Sequence, residues 1–316
     1  MQRRVWVVVA LLCGNLADCT PRTAELSHQS VAHPAITDFQ AYIRAAGFAP
    51  TGNFRRRASN RQAYYRCYYT GKLELPRSYA ELRFVEANEQ GCKLDTERYD
   101  VFFYRIEAVA SGDAPITKAL EETTPERMLM VVAHEDFHND PHVESLPAEL
   151  AEAAATLTGL LALAHYDKDR RIASPGCSLE SEAEIFYRKS LLVNQLYEDL
   201  RSLYEQVASG QLTRAVALEH KRLRFERFQR DCAALPRACT FNPCLAAPNN
   251  AGLAFEVTYT RFYPALFEAY RQWRPPLAVW VQALRQLSVP TGTESDLLPH
   301  TLGERLARLL SSINDR

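Results

Sequence analysis

The chain has 316 residues, enough to bury a sizeable core as one large domain or two small ones. Hydrophobic residues make up 47% and charged residues 24%, ordinary values for a globular protein. The formal net charge of -1 leaves no positive excess to neutralise phosphates, which argues against a nucleic-acid partner.

The first residues read as a leader. Gln2-Arg3-Arg4 is a short basic segment, Val5 to Leu12 is continuously apolar, and Asn15 to Thr20 is small and polar. That order is expected of a secretory signal peptide over 1–19, and the apolar run is too short to span a bilayer. Leu16-Ala17-Asp18-Cys19 resembles a bacterial lipobox, with aspartate where a small residue usually precedes the cysteine. The expectation is export to the bacterial periplasm or cell envelope, where a lipidated Cys19 would tether the chain to the membrane. Residues 20–35 are expected to be a flexible linker and 36–316 a single domain. Beyond Cys13 and Cys19 stand Cys67, Cys92, Cys177, Cys232, Cys239 and Cys244. An even number in an exported protein favours disulfides, with the pairing left open. The Cys232, Cys239, Cys244 cluster lacks the C-x-x-C grip of a zinc knuckle and reads as a stapled loop.

The pattern from about residue 36 is mainly α with a small β component, an α+β chain. Thr37 to Ala46 and Ser78 to Glu89 read as short amphipathic helices, each opened by an N-cap residue. Gln62 to Leu75 and Tyr99 to Ile106, rich in aromatic and β-branched residues, read as strands. Thr124-Pro125-Glu126 starts a helix that must stop by Pro141, and a second, alanine-rich helix opens around Ser145 to Glu149 and ends near His165. Long helical patterns follow over Leu179 to Ser209, Thr213 to Cys232, Asn249 to Trp273 and Pro276 to Leu287, with a terminal helix from about Thr301.

The chemistry sits in His134-Glu135-Asp136-Phe137-His138, an H-E-x-x-H at the end of the apolar run Met128 to Ala133. Residues four apart share a helix face, so both imidazoles point the same way, with a carboxylate beside the first. This is the layout of a zinc hydrolase: His134 and His138 bind one Zn2+, and Glu135 is the general base. The third ligand is expected from the next helix, which with its approach offers Glu144, Glu149 and Glu152, with His142 a lesser candidate. The alanines around Glu152 would let two helices approach closely enough to share a metal, which favours Glu152 over Glu149. Asp136 sits awkwardly, because a buried unpaired carboxylate is costly. It must be paired, partly exposed or bonded to a histidine, and it favours an alternative in which a degenerate, non-catalytic envelope protein binds a partner or a structural metal.

Several segments together resemble the bacterial "predicted aminopeptidase" family of exported, often lipid-anchored proteins grouped with gluzincin-type zinc peptidases. They are His134 to His138, Glu152-Ala153-Ala154-Ala155-Thr156, Asn249-Asn250-Ala251-Gly252-Leu253 with Thr258-Tyr259 and Pro264-Ala265, and Ser78-Tyr79-Ala80-Glu81-Leu82. Asp136-Phe137 stand where the family has Leu-Ala, and alanine where it has asparagine before Glu152. The resemblance implies a zincin-like fold, Glu152 as third ligand and a peptide substrate. It also directs attention to Tyr259, since zinc peptidases commonly use a tyrosine or histidine to stabilise the oxyanion.

Overall fold

The computed structural model describes residues 33–58, 64–109, 111–287 and 299–314, which belong to one compact unit. The expected leader, the lipidation at Cys19 and most of the expected linker lie outside the described residues. The last two linker residues are corrected: helix α1 runs Pro34–Ala45, so Pro34 and Ala35 are helical, with the proline in the first turn where its missing N–H costs nothing.

The protein is mainly helical with one small antiparallel sheet, in which Tyr64–Gly71 lies between Arg83–Glu86 and Tyr99–Ile106. Strands β1 (Tyr64–Gly71) and β3 (Tyr99–Ile106) fall where their aromatic and β-branched residues predict. The helix expected over Ser78 to Glu89 does not form. Tyr79–Glu81 make a single 3-10 turn, Ser78 makes no capping bond, and Arg83–Glu86 become strand β2. The ladder to β1, with Val85 opposite Cys67 and Phe84 opposite Tyr68, outweighs local helical spacing in a segment rich in strand-forming residues.

After the short α2 (Lys118–Glu121) come α3 (Pro125–His138), α4 (Pro141–Glu144) and α5 (Ala148–Arg170). The Thr124 hydroxyl accepts from the Arg127 amide at 3.2 Å and so starts α3 as expected. Helix α6 (Glu182–Ala208) ends before Gly210, whose φ of +75° lets the chain reverse into α7 (Arg214–Ala233). The single helix expected over Asn249 to Trp273 is two: α8 (Asn250–Thr260) and α9 (Tyr263–Trp273). Pro264 cannot supply an amide to the preceding turn, and the freed Thr260 carbonyl is taken by Asn194 Nδ2 at 3.0 Å. Helices α10 (Leu277–Arg285) and α11 (Pro299–Asn314) complete the described chain.

The six later cysteines pair as Cys67–Cys92, Cys177–Cys239 and Cys232–Cys244. The Cys232 to Cys244 stretch is therefore a stapled loop, with Cys239 tied outward to Cys177.

Helices α3 and α5 lie side by side through the core. Helix α5 is buried nearly all round, and Ala151, Ala155 and Gly159 make a row of small residues along it at four-residue spacing. A Cβ added to Gly159 would lie 3.3 Å from the Met130 carbonyl oxygen and 3.4 Å from the His134 amide nitrogen, so the two backbones are nearly in contact there. Replacing Gly159 with leucine should overpack this seam and cost about 1–3 kcal/mol, read as a lower denaturant midpoint with an unchanged m-value.

Candidate metal centre

His134 and His138 occupy the last turns of α3, and Glu152 sits in the second turn of α5. His134 Nε2, His138 Nε2 and Glu152 Oε2 form a triangle with all three sides 3.1 Å. The three side chains are only 11%, 17% and 11% exposed. Protons alone satisfy this arrangement badly. Both rings can donate to Glu152, but that leaves two N–H groups confronting one another along the third side. A cation satisfies all three lone pairs at once, and tetrahedral ligands about 2.0–2.1 Å from zinc stand about 3.3 Å apart, close to the observed sides. The cluster could hold a metal ion.

The surrounding bonds orient the donors. Thr156, four residues after Glu152 on the same face, lies 3.5 Å from His134 Nδ1, so a proton on Nδ1 leaves the Nε2 lone pair facing the centre. The Tyr79 hydroxyl donates to Glu152 Oε1 at 3.0 Å, leaving Oε2 for the centre. Without a metal, burial pushes the Glu152 carboxyl up, but the His138 charge and the bonds from both histidines hold it well below the usual range. Burial lowers His138, and the Glu152 carboxylate more than reverses this.

The other described ligand candidates, Glu149 and His142, stay apart from the triangle. Glu149 is half-buried in the first turn of α5 and is not among the clustered ligands. His142 is exposed and turns to Asp140, with Nδ1 3.3 Å from Oδ1. Glu135 and Tyr259 both line a cavity of about 560 Å³ that opens beside His134. The Tyr259 ring centroid stands 6.1 Å from that of His134 and 5.6 Å from that of Phe255. Burial, then the Glu152 charge, pushes the Tyr259 phenol well above its ordinary value, so it remains a protonated donor. A larger hollow of about 790 Å³ between β3 and α7 contains none of the motif residues.

Asp136 is buried and paired. It lies two residues from both histidines, which turns it to the opposite face of α3. There it accepts from Thr51 Oγ1 at 2.6 Å, Gln40 Nε2 at 2.8 Å and Asn53 Nδ2 at 3.0 Å. Burial raises its pKa, and these three bonds oppose the rise. Asp140 is likewise accounted for: it accepts from the His142 amide at 3.0 Å, capping α4, and pairs with Arg285 Nη2 at 2.5 Å. Asp136 thus ties α3 to the N-terminal segment, and Asp140, just past its end, ties the next turn to α10.

Tyr79 is the contact the sequence left unseen. It lies within the family-like Ser78 to Leu82 segment, but its partner is 73 residues away. The Asn249 to Leu253 stretch has a fastening role. The Asn249 side chain caps α8 by accepting from the Gly252 amide at 3.1 Å and donates to the Val101 carbonyl of β3 at 2.9 Å. Asn250 donates to the Lys72 and Glu74 carbonyls at 3.1 and 2.8 Å. A Cβ at Gly252 would stand 2.1 Å from the Ala247 carbonyl oxygen, so only glycine fits. These bonds set the path of α8 and hence the place of Tyr259.

The family described as "Putative aminopeptidase" matches residues 54–296, most of the chain. No curated protein and no solved structure is found to match it.

Two variants separate holding the fold from holding the metal. Asp136→Ala removes the acceptor shared by the buried Gln40 and Asn53 amides and the half-buried Thr51 hydroxyl, and should cost roughly 3 kcal/mol in denaturant unfolding, while saturating zinc still binds one-to-one. Tyr79→Phe should weaken zinc affinity about 10- to 100-fold in competition with a chelating dye. The metal-free stability of that variant should stay within about 1 kcal/mol of wild type.

Proposed function

The chain belongs to the "Putative aminopeptidase" family, and on that premise we propose that it is a zinc-dependent peptidase with a zincin-like site. The observation that carries this reading is the 3.1 Å triangle of His134, His138 and Glu152, with Glu135 on the same helix opening into an adjoining cavity. Two imidazoles and one carboxylate are a donor set suited to zinc and leave a coordination position open.

Bound there, zinc would bring a water's pKa towards neutrality and polarise a substrate carbonyl. Glu135, next to His134, takes the proton from the attacking water and delivers it to the leaving nitrogen. Tyr259, kept protonated by burial beside the Glu152 charge, donates to the oxygen that gains charge as the carbonyl becomes tetrahedral. Thr156 and Tyr79 keep His134 and Glu152 in their orientations.

Strand β3 offers a template for the peptide. The Val101 carbonyl accepts from Asn249 and so faces away from β1, and the two-residue period gives Phe103 the same outward orientation. Phe103 borders the cavity, and its amide and carbonyl can pair with an extended substrate.

Asp136, which favoured a non-catalytic envelope protein, bonds Thr51, Gln40 and Asn53 instead of the centre, so it no longer speaks against activity. Restriction to free amino termini is suggested by the family's description. Export remains part of the proposal: the leader motivates it, and three disulfides support an oxidising compartment.

Zinc-loaded Glu135→Gln should keep one zinc per chain and lose about 100- to 10,000-fold in peptide hydrolysis. Wild type that binds zinc stoichiometrically yet cleaves nothing in a broad peptide pool would return the second reading. Failure to bind zinc would remove the site.

A further inference from the structure

The cavity beside His134 has a composition that points to what enters it. Its floor is α3 from Arg127 to Glu135, about 12 Å along the axis. Its walls are aromatic, with Phe102 and Tyr104 from β3, Phe255 and Tyr259 from α8, Phe186 from α6 and Phe241 from the stapled loop.

The charges at the end away from the centre are matched within the wall. Lys189, 3% exposed, has its Nζ 2.6 Å from Glu256 Oε1 and 2.7 Å from the Asn242 carbonyl oxygen. The same ammonium stands 5.4 Å from the centroids of both Phe186 and Phe241. Arg127 pairs with Glu107 at 2.9–3.0 Å and donates to the Thr240 carbonyl at 2.8 Å. An ammonium or carboxylate moving to that end would lose its hydration and find Lys189, Glu256, Arg127 and Glu107 already paired with one another. An aromatic ring would give up only poorly held water and meet ring edges and faces.

The wall carrying Phe241 is also pre-formed. Glu182 accepts from the Cys239 and Thr240 amides at 2.8 and 3.1 Å, Arg127 and Lys189 hold the next carbonyls, and two disulfides anchor the loop's cysteines. Little ordering entropy therefore opposes binding on this side.

We infer that this cavity is a specificity pocket, which receives the side chain of one residue flanking the scissile bond and selects large neutral ones, aromatic before aliphatic. The assignment rests on the peptidase reading. Ala246 is an exposed residue on the rim, so Ala246→Trp adds bulk to the cavity without disturbing the metal ligands.

The test uses zinc-loaded protein. Cleavage sites in a peptide pool are located by mass spectrometry, and each flanking position is then varied through Phe, Leu, Ala, Glu and Lys. At one position, kcat/KM for phenylalanine should exceed that for alanine, glutamate or lysine by at least about 30-fold. Ala246→Trp should remove most of that advantage while leaving the alanine substrate within about 3-fold and the zinc content unchanged. Independently of turnover, calorimetry on Glu135→Gln should show N-acetyl-phenylalaninamide binding at least about 10-fold tighter than the alanine analogue. A flat or charge-seeking profile, or equal loss on both substrates in Ala246→Trp, overturns the pocket and leaves the peptidase reading standing. No cleavage by the zinc-loaded wild type overturns the peptidase reading, and the pocket with it.

Discussion

Two helices can share a metal only if their backbones come close enough for short side chains to meet. Helices α3 and α5 do so where Gly159 meets the Met130 to His134 stretch of α3 with no side chain to hold the two backbones apart. The spacing of His134 and His138 is local to one helix, but the carboxylate that completes the triangle depends on that seam. Larger side chains at Ala155 or Gly159 would move Glu152 outward, and the 3.1 Å sides would be lost. The packing of the core and the geometry of the centre are one property here.

Helix α3 is held from behind as firmly as it presents the centre in front. Asp136 draws in donors from α1 and from the 51–53 segment, and Asp140 joins Arg285, whose Nη2 also reaches the Gly47 carbonyl at 2.7 Å. A buried carboxylate is costly alone, but with three hydrogen bonds it becomes a specific fastening that an apolar residue could not provide. The two imidazoles are thereby carried on a helix with little freedom to rotate, which suits a site whose donors must stay aligned.

Helix α8 links the centre to the cavity. Asn249, Asn250 and the obligatory Gly252 bolt it to the sheet, and its inward residues Phe255, Glu256 and Tyr259 then fall along one side of the space beside His134. A further wall is a loop that three charged residues and two disulfides immobilise. Fastening residues far from the metal thus determine what can lie next to it.

The sequence alone determined what depends on short-range chemistry. The spacing of His134 and His138, the Thr124 cap, the aromatic β1 and β3 and the small-residue face of α5 follow from steric and periodic rules within a few residues. It failed where a distant partner decides. Residues 83–86 are a strand because β1 lies beside them, and Asn194 takes the carbonyl freed where α8 and α9 divide. Asp136 looked misplaced because its three partners lie 83 to 96 positions earlier. Tyr79, the pairing of the cysteines and the charge-matched cavity were invisible for the same reason: hydrogen bonds, ion pairs and disulfides join atoms that are close in space, and only the folded chain says which ones are.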